Sequence, residues 1–327
     1  MKNCYGLGRR TREVFRVKQT LAPVALFAYR RPRHLQAVLG SLSANAEADA
    51  TNLVIFVDAA GDESEQAPVA STVAIARQAT GFRSVSVQVS REHRGLAQSI
   101  VGGVRQMLSE YGRVVILEDD IQVSPYFLRF MNDGLETYAD DSSVASIHGY
   151  RYPVRHTLPE TFFLRGADCW GWGTWRRAWN QFEPDGSLLL SQLRERGLER
   201  DFDFGGAASF TKMLEAQIAG ENDSWAIRWY ASAFLAGMYT LYPGISLVRN
   251  IGMDGSGRHS RRSRAFEGSL ASGPVSVPRI PVIENQVARE AFADFFRLSE
   301  RRSLRGITHR IRGFLSTHLG TRGHVVS

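Results

Sequence analysis

Three carboxylates stand in a row at Glu118-Asp119-Asp120, directly after the apolar run Val114-Val-Ile-Leu117. Adjacent like charges repel, and a fold seldom gathers three of them at a buried edge without a cation. Hard divalent ions such as Mn2+ and Mg2+ take oxygen ligands and often bridge to substrate phosphates. One carboxylate of the triplet can hold such an ion while the others accept hydrogen bonds from hydroxyl groups. A solvated turn, or a cap for the next helix, would use the same residues without chemistry.

Other residues have types suited to the same ligand. Arg30 follows the apolar run Val24–Ala28, and a guanidinium can fork onto phosphate oxygens where lysine cannot. Asp58 closes the run Leu53–Val57; as a turn residue ahead of Gly61 it would be ordinary. His93 and Arg94 open the helical stretch before the acidic triplet. In Glu221-Asn-Asp-Ser-Trp225, Asp223 is either a helix cap or an exposed acid at a helix head, and Glu221 is its alternative. Glycines alternate with tryptophans in Gly166-Ala-Asp-Cys-Trp-Gly-Trp-Gly-Thr-Trp-Arg176, letting backbone and aromatic faces approach a ligand closely. Aromatic faces suit a sugar ring, although clustered tryptophans are more often core; Asp168 is a second-rank acid here. Gly252-Met-Asp-Gly-Ser-Gly-Arg-His-Ser260 reads as a polar glycine-rich loop whose N–H groups can hold phosphate oxygens.

These residues need elements to position them. Short apolar runs recur about every thirty residues: Val24–Ala28, Leu53–Val57, Val85–Val89 and Val114–Leu117. Three are nearly continuous in apolar character, as strands covered on both faces are. Between them Leu35, Val38, Leu39 and Leu42 share a helical face after Pro32. Residues 64–79 form a weaker helix, and Leu96, Ile100, Val104, Met107 and Leu108 form a third that Gly112 stops. Strand alternating with helix predicts a parallel sheet with right-handed crossovers, whose ligands bind beyond the strands' carboxyl ends. Tyr29-Arg30-Arg31, Asp58 and Glu118–Asp120 all fall at such ends. Helices are expected near 208–219 and 223–237, a linker or wrapping strand at 265–285, and basic amphipathic helix at 286–317.

The chain has 327 residues, 43% hydrophobic and 22% charged, an ordinary globular composition. Its net charge of +7 is concentrated at the ends, with Arg9, Arg10, Arg12 and Arg16 at one and Arg297, Arg301, Arg302, Arg305, Arg310 and Arg312 at the other. Such a surface attracts phosphates, anionic membrane or nucleic acid without choosing among them. Two cysteines, Cys4 and Cys169, make no disulfide framework or metal spacing. The absence of a signal-length or membrane-spanning apolar run leads us to expect a cytoplasmic protein, with peripheral contact at the inner face of the membrane through the basic C-terminus.

The triplet together with Ile121-Gln-Val-Ser-Pro-Tyr-Phe-Leu128 resembles the acidic motif of GT-A glycosyltransferases. It looks most like the N-acetylglucosaminyltransferase I family and its bacterial relatives, in which the acids precede a similar apolar-x-x-small-Pro-x-Phe run. The resemblance covers roughly residues 22–260. It implies an α/β GT-A fold, a Rossmann-like, mostly parallel sheet flanked by helices, with a basic helical C-terminal extension. The organisation expected is a basic tail at 1–20, a transferase domain at 21–262 (nucleotide-sugar half 21–125, acceptor half 126–262), and linker plus extension at 263–327.

Residue by residue, the resemblance implies that Asp120 ligates Mn2+ or Mg2+. Ala28, Tyr29, Arg30, Asp58, His93, Arg94, Glu118 and Asp119 would contact the nucleotide-sugar donor. Asp223 would be the catalytic base, two residues before a tryptophan. Trp170, Gly171, Trp172 and Trp225 would line the acceptor and sugar pocket, and Gly257 and His259 would lie on a closing loop. Tyr29 departs from the family, whose eukaryotic enzyme has an acid near the base; a tyrosine can stack on the base or bond to it instead. The reaction implied is metal-dependent, inverting transfer from a UDP-sugar to a hydroxyl of a glycan or lipid-linked acceptor, in bacterial glycan or glycolipid assembly, with no nucleic acid as partner. Two other readings stand beside it. A sugar-phosphate nucleotidyltransferase would usually carry a glycine-rich, lysine-containing loop after the first strand, where this chain has Tyr29-Arg-Arg-Pro-Arg33. A non-catalytic protein using its basic ends to bind membrane or nucleic acid would not need the strand-end acids.

Overall fold

The structure, a computed structural model, describes residues 20–255 and 265–299. The first half is the expected strand–helix alternation: β1 (Val24–Ala28), α1 (Pro32–Ser43), β2 (Asn52–Val57), α2 (Gln66–Arg77), β3 (Ser84–Val89), α3 (Leu96–Tyr111) and β4 (Arg113–Glu118). Pro32 starts α1, which buries Leu35, Val38, Leu39 and Leu42. Gly112, left-handed at φ 76°, ends α3 by donating its N–H to Leu108 O. β1 and β4 bury nearly every side chain, which explains their unbroken apolar character.

After β4 come β5 (Ile121–Val123), α4 (Phe127–Thr137), β6 (Val144–His148), β7 (Thr161–Arg165), β8 (Trp172–Trp175) and α5 (Arg176–Trp179). There follow α6 (Gly186–Glu195), α7 (Glu199–Phe202), α8 (Phe210–Ile218), α9 (Trp225–Leu235), β9 (Tyr239–Pro243) and β10 (Val248–Asn250). A last helix, α10, runs over residues 286–299.

Eight strands form one sheet in the order β3-β2-β1-β4-β8-β6-β9-β7. The expected parallel pairing holds from β3 to β4. Beyond β4 the sheet is mixed: β8 is antiparallel to β4 and β6, β9 is parallel to β6, and β7 is antiparallel to β9. Strand periodicity did not foretell this half, because β6–β9 are short, β6 to β8 are joined by irregular segments, and β8 and β9 are separated by five helices, α5–α9. β5 and β10 pair as a separate antiparallel ribbon beside the end of β4.

One apolar core runs under the sheet, and a second joins α6–α9 to β7, β9 and α10. In α10, Ala288, Ala291, Phe292 and Ala293 are buried, and Phe292 lies edge-on to Tyr152, Phe162 and Tyr242. Residues 265–285 wrap rather than dangle: Tyr138 Oη donates to Pro278 O, and Phe163 bridges Glu284. No helix among the described residues is long and apolar enough to cross a membrane.

Candidate functional site

Strands β2 and β4 flank β1, so successive crossovers leave β1 in opposite directions along the sheet. The crevice at such a reversal, outside the carboxyl ends of the strands, is where open α/β sheets bind ligands. Glu118, Asp119 and Asp120 end β4 at this crevice, and Tyr29, Arg30 and Arg31 end β1 across from them.

The triplet divides its work. Asp119 is buried; its Oδ2 accepts the Tyr29 N–H at 3.1 Å and its Oδ1 accepts Arg31 at 2.6 Å. It ties β4 to β1. Asp120 Oδ2 accepts the same Arg31 nitrogen at 3.0 Å, and Asp120 O accepts the Ile251 N–H at 2.8 Å. Burial, then the charges on Asp120 and Asp119, push the Glu118 carboxyl up to about 8. Burial likewise raises Asp119 to about 6, opposed by Arg31. Burial works against the Arg31 charge, but Asp119 and Asp120 outweigh it and raise the guanidinium further. Asp119 and Asp120 share the single Arg31 guanidinium among the described residues, and Glu118 holds its proton beside them, so the crevice is short of positive charge.

Among the described residues no three carboxylate, imidazole or thiol groups converge into a ready-made metal cage. The donors present suit a different arrangement, in which Mg2+ or Mn2+ takes one or two protein carboxylates and completes its shell with substrate phosphates and water. Of the two aspartates, Asp120 is the more open to such an ion. Its side chain is 15% exposed, and Gly252 lies against it with no Cβ; a Cβ there would stand 2.3 Å from Asp120 Oδ2 and 2.7 Å from Arg31 Nη1. Glu118 is the second oxygen donor of suitable type at this strand end.

Arg30 does not reach this cluster. It pairs with Glu65, a buried acid just before α2, which also accepts the Tyr29 hydroxyl and the Gly61 N–H at 3.0 Å. Tyr29 Oη, chiefly, holds the Glu65 carboxyl below its usual range. The Tyr29 ring stacks on His93 with centroids 5.1 Å apart. Asp58 is buried and accepts the N–H groups of Arg94 at 3.0 Å and Gly95 at 2.9 Å, with His93 Nδ1 also 3.0 Å away. It thereby pins the turn that starts α3 to the end of β2. Ala28 is buried in the sheet, its carbonyl accepting Asp58 N–H.

Asp223 lies over this turn. Its carboxylate is 3.7 Å from where a Cβ on Gly95 would be and 3.9 Å from Arg228, and its side chain is 62% exposed. The cap of α9 is Ser224, whose Oγ accepts the Ile227 N–H, so Asp223 is released from capping. A solvent-exposed carboxylate beside the turn that starts α3 is free to take a proton from a hydroxyl brought to it.

The tryptophans separate into two kinds. Trp172 and Trp225 are corrected from a sugar pocket to the core: they are buried, stack on each other at 5.6 Å and pack with Trp179 and Trp229. Gly171, at φ 64°, makes the bend that brings its carbonyl to the Gly149 N–H. Trp170 is half-buried between Tyr150 and Phe266, its N–H held by His148 Nε2 at 3.0 Å. Beside it Asp168 accepts Tyr152 Oη, and Cys169 feels the charges of Asp168, Glu118 and Asp120. Burial first, and then these three charges, push the Cys169 thiol well above its usual range, which puts the 168–170 segment within electrostatic range of the acidic crevice. Gly257 and His259 lie outside the described residues, but the loop's stem is seen: Asp254 pairs with His34 at 3.2 Å.

Sequence reasoning placed Arg31 at the end of the first strand without giving it a role, and passed over Glu65. Pro32 is the signal for Arg31, since it keeps the preceding residue out of the helical region (φ −117°, ψ 69°). Glu65 carries no local signal; an acid ahead of a helix is the commonest of surface residues, and only the fold folds it under Tyr29.

No protein-family model and no curated protein matches the chain. Among solved structures, glucosyl-3-phosphoglycerate synthase from Mycobacterium tuberculosis with Mn2+, UDP and phosphoglyceric acid is similar at 11% identity and a TM-score of 0.32, over 54% of this chain and 66% of that one. The same enzyme with Mg2+ and UDP gives the same figures. Likeness this slight carries neither fold nor function to the present chain.

Proposed function

We propose that this chain is a GT-A glycosyltransferase that moves a sugar from a nucleoside diphosphate, UDP in the first instance, to an acceptor hydroxyl with inversion. The observation that carries the reading is the set of three carboxyl groups at the reversal point of the sheet, where Arg31 is the one cation bonded to them among the described residues. A site with that deficit calls for a cation, and a divalent ion held by Asp120, with Glu118 as the second oxygen donor, would supply it. The ion's chemistry, when bound, is to neutralise charge on the departing diphosphate.

The protein's own groups do the rest. Tyr29 and His93, held by Glu65 and Asp58, offer an aromatic surface beside the strand ends on which a nucleobase can lie. Glu118 faces donor hydroxyls. Asp223 takes the acceptor proton as the hydroxyl attacks the anomeric carbon from the face opposite the leaving diphosphate. Trp170 and Asp168 border the acceptor side. The acceptor is a glycan or lipid-linked sugar.

The test is a pair of variants. Asp120→Ala should lose Mn2+-dependent UDP binding in calorimetry. Asp223→Asn should keep that binding and lose transfer by roughly 10²- to 10⁴-fold, the range for a general base. Full transfer by Asp223→Asn removes the base assignment; Mn2+–UDP binding unchanged in Asp120→Ala removes the metal assignment.

A further inference from the structure

We infer that Arg31 is a resident counter-ion that the divalent metal must displace, so that metal binding to this protein is made dependent on the nucleoside diphosphate. The inference rests on the proposed function and concerns the order in which its parts assemble.

The geometry is specific. One guanidinium nitrogen, Nη2, bonds Asp119 Oδ1 at 2.6 Å and Asp120 Oδ2 at 3.0 Å. Asp120 Oδ2 also packs against Gly252, whose lack of a Cβ admits it, and Arg31 Nη1 packs against the same glycine. The cation of the arginine and the oxygen a metal would take therefore share one small space. A metal ion and a guanidinium cannot both sit on that oxygen, because like charges at such range repel strongly.

The two anchors of Arg31 are unequal in kind. Asp119 is buried and also fixed by the Tyr29 N–H, so it stays where it is. Asp120 is the more exposed partner and the longer bond. Arg31 can thus keep Asp119, release Asp120, and turn its remaining N–H donors toward an arriving diphosphate. A guanidinium with five donors is able to make that exchange, and a diphosphate is the ligand that rewards it. Before the diphosphate arrives, nothing compensates Arg31 for leaving Asp120, and metal alone binds poorly. With both present, Asp120 would be free to hold the metal while Arg31 would hold phosphate oxygens.

Titration calorimetry at pH 8 tests this without any activity measurement, using MnCl2 alone, UDP alone and both, on wild type, Arg31→Gln and Arg31→Lys. In wild type, saturating UDP should tighten Mn2+ binding by roughly tenfold or more, within the usual range of coupling between sites. Arg31→Gln should bind Mn2+ alone at least several-fold more tightly than wild type, with UDP adding little. Arg31→Lys keeps the charge and should keep the weak binding of Mn2+ alone. The inference is overturned if wild type binds Mn2+ equally well with and without UDP, a result that needs no variant to fold. It is also overturned if a folded Arg31→Gln, judged by its melting curve, binds Mn2+ no more tightly than wild type. If wild type binds no Mn2+ even with UDP, the proposed function falls with it; if Mn2+ and UDP bind together but without coupling, only the role of Arg31 falls.

Discussion

Gly252→Ala tests the site where the structure is tightest. The added Cβ would stand 2.3 Å from Asp120 Oδ2, 2.7 Å from Arg31 Nη1 and 2.9 Å from Asp120 Cβ, against ordinary contacts of 3.4–4 Å. The backbone has little freedom to back away. Ile251 N–H is bonded to Asp120 O and Gly252 N–H to Asn250 Oδ1, both at 2.8 Å, and β10 is paired with β5 immediately before. The Asp120 carboxylate must therefore retreat by about 1 Å, a displacement that costs on the order of 10²-fold when it falls on a positioning group. In barrier terms that is about 2.7 kcal/mol. Overpacking should cost stability about 1–3 kcal/mol, because the two nearest of the crowded atoms are side-chain ends. The assay is kcat/KM for nucleotide-sugar consumption, with Mn2+–UDP affinity by calorimetry and a melting curve beside it. Gly40→Ala in α1, where a Cβ meets nothing within 4 Å, is the control and should leave activity unchanged. A Gly252→Ala protein with wild-type kcat/KM and wild-type metal–nucleotide affinity would refute the claim that Asp120 works from this position.

Trp172→Ala should destabilise the fold by about 3–5 kcal/mol, as removal of a buried aromatic does, while any folded fraction keeps its donor affinity; a well-folded variant with altered acceptor binding would contradict its assignment to the core. Ser224→Ala should cost about 1 kcal/mol in chemical denaturation, the worth of a helix cap, with the Asp223 carboxylate itself untouched. Glu65→Gln should raise KM for the donor more than it lowers kcat, because it loosens Tyr29 and Arg30. The same residue sets a pH dependence. Its folded pKa is depressed, chiefly by the Tyr29 hydroxyl, so its contribution to stability is present above the ordinary value of 4.5 and is lost as pH falls through the lowered folded value. Denaturation series between pH 3 and 7 should show a shallower acid loss in Glu65→Gln than in wild type.

Much of the fold's first half could be read from the chain alone. Four apolar runs about thirty residues apart, with helical faces between them, have few other solutions than adjacent parallel strands, and the acids that follow the fourth run necessarily sit at its carboxyl end. Local pattern is sufficient there because burial on both faces leaves a continuous apolar signature, and Pro32 and Gly112 mark helix ends by backbone chemistry that needs no partner. Tertiary structure decided what depends on partners distant in sequence. Whether Trp172 and Trp225 meet a ligand or each other was settled by α9 packing across β8, some fifty residues away. Arg30 and Arg31 are adjacent and chemically identical, yet one answers to Glu65 and the other to Asp119 and Asp120, since side chains leaving neighbouring positions of this turn diverge to opposite sides. Residue type tells what a side chain can bond; only the arrangement of the remote strands and helices determines which bond it makes.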